Sequence, residues 1–408
     1  MAPERTNSSA TGANSSNSAG LQGSAKRDSG AGRIGVLVVD DSAFMRRIME
    51  RIITDDPELV VVGAARDGAE ALELLAADMA LPAPAISVVT LDVEMPGLGG
   101  LEVLRRIGRR YPVVVVSALT KSGAETTIQA LELGALDVVP KPDVAGGASL
   151  LHMAQDLVAK VKSAAGARLR PAAQAVVTDA PQQPQQPWQP QVSPAPLPGS
   201  AGPSRSSAPS GPPAAVLIGT STGGPQALRQ LIPALPASFP VPVIVAQHMP
   251  RGFTGPLADR LNELSPLEVR EAADGDVLAP GLVLVAPAGR QTILHRHGSQ
   301  VQVSLEDKAP FATPFRPSVD LLFLTGVEAY GASLAGVVMT GMGRDGLEGV
   351  RAIKKAGGIA VAEAEETCVV YGMPREVIEA GLADYTSPLP RLPGLLVELV
   401  RGARSHSR

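Results

Sequence analysis

The sequence predicts two α/β domains, each built on a mainly parallel sheet. Short runs rich in Val, Ile and Leu alternate with segments of helical period in residues 33–165 and again in 214–403. Between them, 166–213 is rich in Pro, Gln and Ser and has no apolar period, which predicts an extended, semi-stiff linker. Residues 1–32 carry almost no large apolar side chains, so we expect a disordered tail.

The composition narrows the class of protein. Hydrophobic residues are 45% of the chain, enough to fill two cores. The formal charge of −4 gives no electrostatic reason to expect binding to nucleic acid or an anionic membrane. Cys368 is the only cysteine, so no internal disulfide can form and a reducing cytoplasm is expected. No apolar run reaches the ~18 residues of a membrane span, so we expect no membrane insertion.

The first domain is expected to be a doubly wound, five-stranded parallel sheet. Continuous apolar runs separated by helices indicate strands that are covered on both faces. Ser42 follows the first run and is predicted to cap a helix that begins near Ala43. The predicted strands are, in order, IGVLVVDD, LVVVGAARDG, AISVVTLDVEMPG, VVVVSAL and ALDVVPKP.

Polar residues end several of these strands. Asp40 and Asp41 end the first, Asp92 the third and Ser117 the fourth, and Lys141 follows the fifth. Parallel sheets bind ligands beyond their carboxyl ends, so these residues should converge. Three carboxylates together suit Mg²⁺, Asp92 could then attack a phosphoryl group, and Lys141 and Ser117 could hold it. Singly, each acid could be only a helix cap or turn residue.

These motifs resemble the response-regulator receiver family. The matching segments are VVDDS, LDVEMPGLGG, VSAL and VPKP. The resemblance implies that Asp92 is the phosphoacceptor, that Mg²⁺ assists, and that a histidine kinase is the donor. Many receivers carry an aromatic switch residue three positions before the lysine, where this chain has Val138.

The second domain contains a candidate serine nucleophile. The segment Gly219–Gly224, GTSTGG, follows a predicted strand and precedes a predicted helix, and its G-x-S-x-G pattern puts Ser221 on a sharp turn. The N–H groups of a helix N-terminus, and that of Thr222 by the same rule, could stabilise an oxyanion. Similar turns bind phosphate, but this one lacks the lysine of a P-loop and the spacing of a dinucleotide site.

A serine nucleophile needs a base and an orienting acid. His248 ends the strand VPVIVAQ at the edge where Ser221 lies, and it is the leading base. Asp345 follows the strand LAGVVM at that edge and is the leading acid. Asp320 is the rival acid, although its place at a helix start is better explained by capping or first-turn electrostatics.

Other reactive side chains have simpler explanations. Cys368 could serve as a nucleophile, but its surroundings, TCVVYG, are typical of a core, so we expect a buried, inert thiol. His295 and His297 alternate in ILHRHGS, which indicates an exposed strand face rather than a metal pair.

The second domain resembles the catalytic domain of bacterial chemotaxis protein-glutamate methylesterases. The matching segments are GTSTGGP, VIVAQHMPRGFT, RPSVDLLF, TGMGRDG and CVVYGMP. The resemblance implies hydrolysis of glutamyl methyl esters on chemoreceptors, deamidation of certain receptor glutamines, no cofactor for the esterase, and an oxyanion contact from the backbone of Met342. It also suggests that the receiver inhibits the hydrolase by packing over its site.

Three other functions stay open at this point. One is a signalling adaptor with an inactive hydrolase fold. Another is a transcriptional regulator, although no basic recognition helix is evident. The third is a serine hydrolase acting on a protein outside chemotaxis.

Overall fold

The computed structural model describes residues 32–81, 85–118, 120–142, 147–169 and 211–402. Almost all of the predicted tail, 1–32, and most of the predicted linker, 166–213, lie outside these residues. The described residues form two α/β units, as the sequence predicts.

The first unit is the expected five-stranded sheet, parallel throughout and ordered β2-β1-β3-β4-β5. Ser42 caps its first helix, because the side chain accepts a 3.3 Å hydrogen bond from the backbone N–H of Met45. The elements are β1 Ile34–Val39, α1 Ala43–Asp55, β2 Leu59–Ala65, α2 Gly68–Met79, β3 Val88–Asp92, α3 Gly100–Ile107, β4 Val113–Ser117, α4 Lys121–Leu133, β5 Asp137–Pro140 and α5 Gly147–Ala165.

The second unit holds a seven-stranded parallel sheet in the order β14-β13-β12-β6-β7-β9-β8. Its central strands are fully buried, which accounts for their continuous apolar runs. The elements are β6 Ala215–Thr220, α6 Gly224–Leu231, β7 Val243–Gln247, α7 Thr254–Leu264, β8 Glu268–Glu271, β9 Leu282–Val285, β10 Gln291–His297, β11 Gln300–Glu306, α8 Val319–Tyr330, β12 Leu334–Val338, α9 Leu347–Ala356, β13 Ile359–Glu363, α10 Met373–Glu379, β14 Tyr385–Ser387 and α11 Leu392–Val400.

The strands β10 and β11 form a separate antiparallel hairpin, so the second unit is mainly rather than wholly parallel, as expected. His295 and His297 are exposed on β10, and the prediction of an exposed strand face is confirmed. No helix among the described residues is long and apolar enough to cross a membrane.

The two units pack against each other. Helix α4 of the first contacts α6 and α7 of the second, and buried apolar side chains of both belong to one continuous cluster. At the edge of this interface Glu132 pairs with Arg260 at 2.7 Å and with Arg229 at 3.3 Å.

Candidate active site and phosphorylation site

Ser221 lies in the turn between β6 and α6. Its backbone N–H donates to the carbonyl of Thr340 at 3.0 Å, and the Thr220 hydroxyl donates to the same oxygen at 2.8 Å. A Cβ on Gly341 would lie 2.8 Å from the Cβ of Ser221, so only glycine allows this approach. The loop that follows β12 thus fixes the turn that carries the candidate nucleophile.

His248 follows β7 and is joined to the same turn. Its backbone N–H donates to the Thr220 carbonyl at 3.1 Å. The Gln247 amide donates to the carbonyls of Ser221 at 3.0 Å and of His248 at 2.8 Å. Among the described residues no hydrogen bond links the Ser221 hydroxyl to the imidazole, so in this form their connection runs through the backbone and Gln247.

The imidazole of His248 is oriented from one side. Its Nε2 lies 2.9 Å from Oδ2 of Asp345, and its ring stacks on Phe315 with centroids 4.2 Å apart. Its Nδ1 is buried and has no hydrogen-bond partner in the part of the chain that the structure describes. One nitrogen is therefore held by an acid, and the other is left to accept a proton.

Asp345 is almost wholly buried and surrounded by donors. Besides His248, it accepts hydrogen bonds from the Ser318 hydroxyl at 3.1 Å and the backbone N–H groups of Val319 at 2.8 Å and Asp320 at 3.0 Å. Burial raises the pKa of Asp345, but the bond and charge of His248 and these N–H groups hold that pKa below its usual value. The carboxylate therefore stays ionised at neutral pH.

The residues predicted to bind the oxyanion differ in their exposure. Thr222 is buried, whereas Met342 is partly exposed on the loop after β12. Met342 borders an open cleft of about 500 Å³. This cleft is lined from the second unit by the loops around Met342 and Tyr371, and from the first by the end of α5 and the residues that follow: Lys162, Ser163, Gly166 and Arg168.

The rival residues occupy other roles. Asp320 lies in α8 but caps the neighbouring helix α9. Its Oδ1 accepts the backbone N–H groups of Gly346 at 2.9 Å and Gly349 at 2.8 Å, at the start of α9. Burial raises the pKa of Asp320 to about 6. Cys368 is buried, as predicted, and burial raises the pKa of its thiol far above the usual range.

The acidic residues of the receiver unit also meet. Asp40, Asp41 and Asp92 each offer one oxygen within 4.8 Å of the others. The Lys141 ammonium lies 2.9 Å from Asp40 and 2.6 Å from Asp92, while the buried Ser117 hydroxyl donates to the backbone. Burial raises the pKa of Asp92, and Lys141 only partly offsets it. A set of hard carboxylate oxygens fits Mg²⁺.

The receiver unit touches the serine turn directly. The segment Ala135–Asp137, at the start of β5, makes two hydrogen bonds to this turn and one to the helix α6 that follows it. The Thr222 hydroxyl donates to Asp137 Oδ2 at 2.6 Å, the Gly223 N–H donates to a backbone carbonyl at 3.1 Å, and the Gln226 amide donates to another at 2.8 Å. From the resemblance, the receiver was expected to pack over the hydrolase site; these particular hydrogen bonds and the stacking of Phe315 on His248 were not predicted.

A receiver fold joined to an α/β unit with a serine turn and a histidine–aspartate pair defines a receiver-controlled hydrolase. The sequence matches the response regulator receiver domain family over residues 36–148 and the CheB methylesterase family over 216–396. Among solved structures, the CheB methylesterase catalytic domain of Thermotoga maritima is 44% identical, covers 46% of this chain and 99% of its own, and has a TM-score of 0.45.

Two curated relatives align with this chain over nearly the whole of their own length. The protein-glutamate methylesterase/protein-glutamine glutaminase of Moorella thermoacetica is 46% identical, and that of Desulfitobacterium hafniense is 44% identical. Each alignment covers 90% of this chain and 98% of the relative. The chain belongs to the protein-glutamate methylesterase/protein-glutamine glutaminase family.

Proposed function

We propose that this chain hydrolyses glutamyl methyl esters on chemoreceptors to glutamate and methanol, and deamidates particular receptor glutamines, in the cytoplasm and under the control of phosphorylation. Both reactions are acyl transfers from a glutamyl carbonyl, so one site can perform both. The observation that carries the proposal is the bond between His248 and Asp345, at the sheet edge where the Ser221 turn lies.

The first step adds Ser221 to the substrate carbonyl and forms a tetrahedral intermediate; the acyl-enzyme is left when methanol departs in the second step. The Ser221 hydroxyl attacks the ester carbonyl while His248 takes its proton at Nδ1, the nitrogen that has no other partner. Asp345 accepts from Nε2–H, fixes the tautomer and stabilises the imidazolium. The backbone N–H groups of Met342 and Thr222 stabilise the oxyanion.

The second step releases products. The imidazolium of His248 returns its proton to the leaving oxygen, and methanol departs; for a glutamine substrate the leaving group is ammonia. A water molecule, deprotonated by the same imidazole, then opens the ester on Ser221. The donors around Asp345 keep it ionised throughout this cycle.

Phosphorylation takes place at Asp92, with a histidine kinase as the phosphodonor. Asp40, Asp41 and Asp92 would hold Mg²⁺, and a bound cation there would supply neutralisation of the phosphoryl charge. Lys141 and the Ser117 hydroxyl bind the phosphoryl oxygens.

Control of the hydrolase follows from the interface. In the unphosphorylated form the segment Ala135–Asp137 packs on the serine turn and holds the Thr222 hydroxyl, which limits access to Ser221. Asp137 begins β5 and Lys141 follows it, so the two sites share one strand. Phosphate at Asp92 moves Lys141 from the carboxylates of Asp40 and Asp92 to the phosphoryl oxygens, shifts β5 and favours release of the turn.

Methanol release tests the proposal. Full-length protein is incubated with membranes carrying methylated chemoreceptors, with and without acetyl phosphate. Ser221→Ala should lower the rate at least about a thousandfold, while the control Ser299→Ala, at the exposed tip of the β10–β11 hairpin, keeps it. Substantial methanol release by Ser221→Ala refutes the nucleophile; phosphate-dependent receptor binding without any release would instead indicate an adaptor.

A further inference from the structure

Two aspartates, Asp345 of the candidate active site and Asp320 beside it, cap each other's helices. Asp345 immediately precedes Gly346, the N-cap of α9, yet its carboxylate accepts the first backbone N–H groups of α8, those of Val319 and Asp320. Asp320 lies in the first turn of α8, yet its Oδ1 accepts the N–H groups of Gly346 and Gly349 at the start of α9. The two helix N-termini are thereby locked together.

This exchange fixes the peptide next to Asp345. The 2.9 Å bond from Gly346 N–H to Asp320 holds the residue that directly follows Asp345 in the chain. Gly346 has φ +101°, and a Cβ there would lie 2.9 Å from Val319, so the close approach of α8 and α9 also requires glycine. With its backbone held in this way, the Asp345 carboxylate accepts from the N–H groups of Val319 and Asp320 in the position where it also meets His248.

From this geometry we propose that Asp320 is a positioning residue of the hydrolase: its carboxylate oxygen holds the Gly346 peptide and so keeps Asp345 at 2.9 Å from His248. The inference rests on the proposed roles of Ser221, His248 and Asp345. Within the described part of the chain, the side chain of Asp320 bonds to the start of α9 and not to the imidazole or the serine turn, so it acts through Asp345.

The role requires an acceptor oxygen and not a charge. Both N–H groups bind the same atom, Oδ1, so asparagine can supply the acceptor in the same position, whereas alanine cannot. A catalytic carboxylate would behave differently, because asparagine would then be as harmful as alanine. The pair of substitutions therefore separates positioning from participation in the chemistry.

The experiment measures kcat and KM for methanol release by full-length variants saturated with acetyl phosphate. Asp320→Ala should lower kcat about tenfold to a hundredfold through misplacement of the Asp345–His248 pair, with KM within twofold of wild type. Asp320→Asn should stay within threefold of wild type in both constants. The matched control is Asp67→Ala, which removes a helix cap of α2 in the receiver unit and should leave kcat unchanged.

The outcomes distinguish this inference from the proposal beneath it. The positioning role is overturned if Asp320→Ala keeps the wild-type kcat. It is also overturned if Asp320→Asn loses as much kcat as Asp320→Ala does. If Asp345→Asn also retains wild-type kcat, the proposed catalytic residues themselves are wrong; if Asp345→Asn is inactive, only the positioning role fails. Should Asp320→Ala not fold, Asp320→Glu displaces the acceptor by one methylene, and wild-type kcat in that variant likewise overturns the inference.

Discussion

Asp92 and Asp345 are both buried carboxylates beyond the carboxyl edge of a parallel sheet, one in each unit, yet their pKa values move in opposite directions. Burial is the largest influence on both and raises both. For Asp345 the bond and charge of His248 and two backbone N–H groups outweigh burial. For Asp92 the like charge of Asp40 adds to burial, and Lys141 does not compensate fully.

The opposite pKa shifts of Asp92 and Asp345 show how the same position at a sheet edge can serve two different reactions. A carboxylate that is saturated with donors keeps its charge and its place, which suits the orientation of an imidazole. A carboxylate that lies among other acids carries negative charge that its neighbours do not neutralise, so the group attracts a cation. Its oxygen can then act as a nucleophile toward phosphorus.

Replacement of Asp345 by asparagine should have the largest effect. An amide cannot hold the Nε2–H tautomer of His248 as a carboxylate does, so we expect kcat for methanol release to fall roughly 10³–10⁴-fold with little change in KM. The control is Asp307→Asn, an exposed carboxylate near the β10–β11 hairpin. A loss below threefold would contradict the orienting role.

Replacement of Asp92 by asparagine should abolish regulation by phosphorylation and leave the basal hydrolase activity intact. We expect no stimulation by acetyl phosphate, with the basal rate within about twofold of wild type, because phosphate cannot be attached. Methanol release is measured with and without the phosphodonor. Asp55→Asn, an exposed position on α1, should remain fully stimulated. Persistent stimulation of the Asp92 variant would show that another residue accepts phosphate.

The Asp137→Ala substitution should raise the basal rate without a phosphodonor. Loss of its hydrogen bond to Thr222 costs the docked form about 1 kcal/mol, which corresponds to roughly fivefold more of the open form. The control is Asp156→Ala, because Asp156 shares the partner Lys160. An unchanged basal rate for Asp137→Ala, or an equal rise in the control, argues against inhibition through this contact.

The pKa of Asp320 should appear in the pH dependence of stability. That pKa is about 6 in the folded chain against 3.8 ordinarily, so the folded state binds the proton more tightly. The stabilisation is complete below pH 3.8 and is lost as the pH rises to and through about 6. The Tm of wild type should therefore fall by about 2–4 °C relative to Asp320→Asn between pH 4 and 7. A constant difference in Tm contradicts this.

Much of the site could be predicted because most key side chains directly follow an apolar strand. Asp40, Asp92, Ser221 and His248 lie at or one residue beyond strand ends, and Asp345 lies in the loop that joins β12 to α9. Apolar runs are readable from sequence, and parallel strands bring their carboxyl ends to one edge. The fold class followed from the same signal.

The contacts that the sequence did not reveal join distant segments. Phe315, which stacks on His248, lies in a segment without a helical or strand period. Asp137 and Thr222 are 85 residues apart, and Asp137 reads as part of an apolar strand. The donors to Asp320 come from another helix, whereas local reasoning considers only its own. Such pairings depend on how whole elements pack.

Trapping the acyl-enzyme tests the central claim most directly. Wild-type protein is mixed with methylated chemoreceptor peptide, quenched in acid within milliseconds, digested and analysed by mass spectrometry. The mechanism predicts a transient glutamyl ester on the peptide that contains Ser221, absent from Ser221→Ala. An acyl group on another residue such as Cys368, or methanol release by Ser221→Ala, would contradict it.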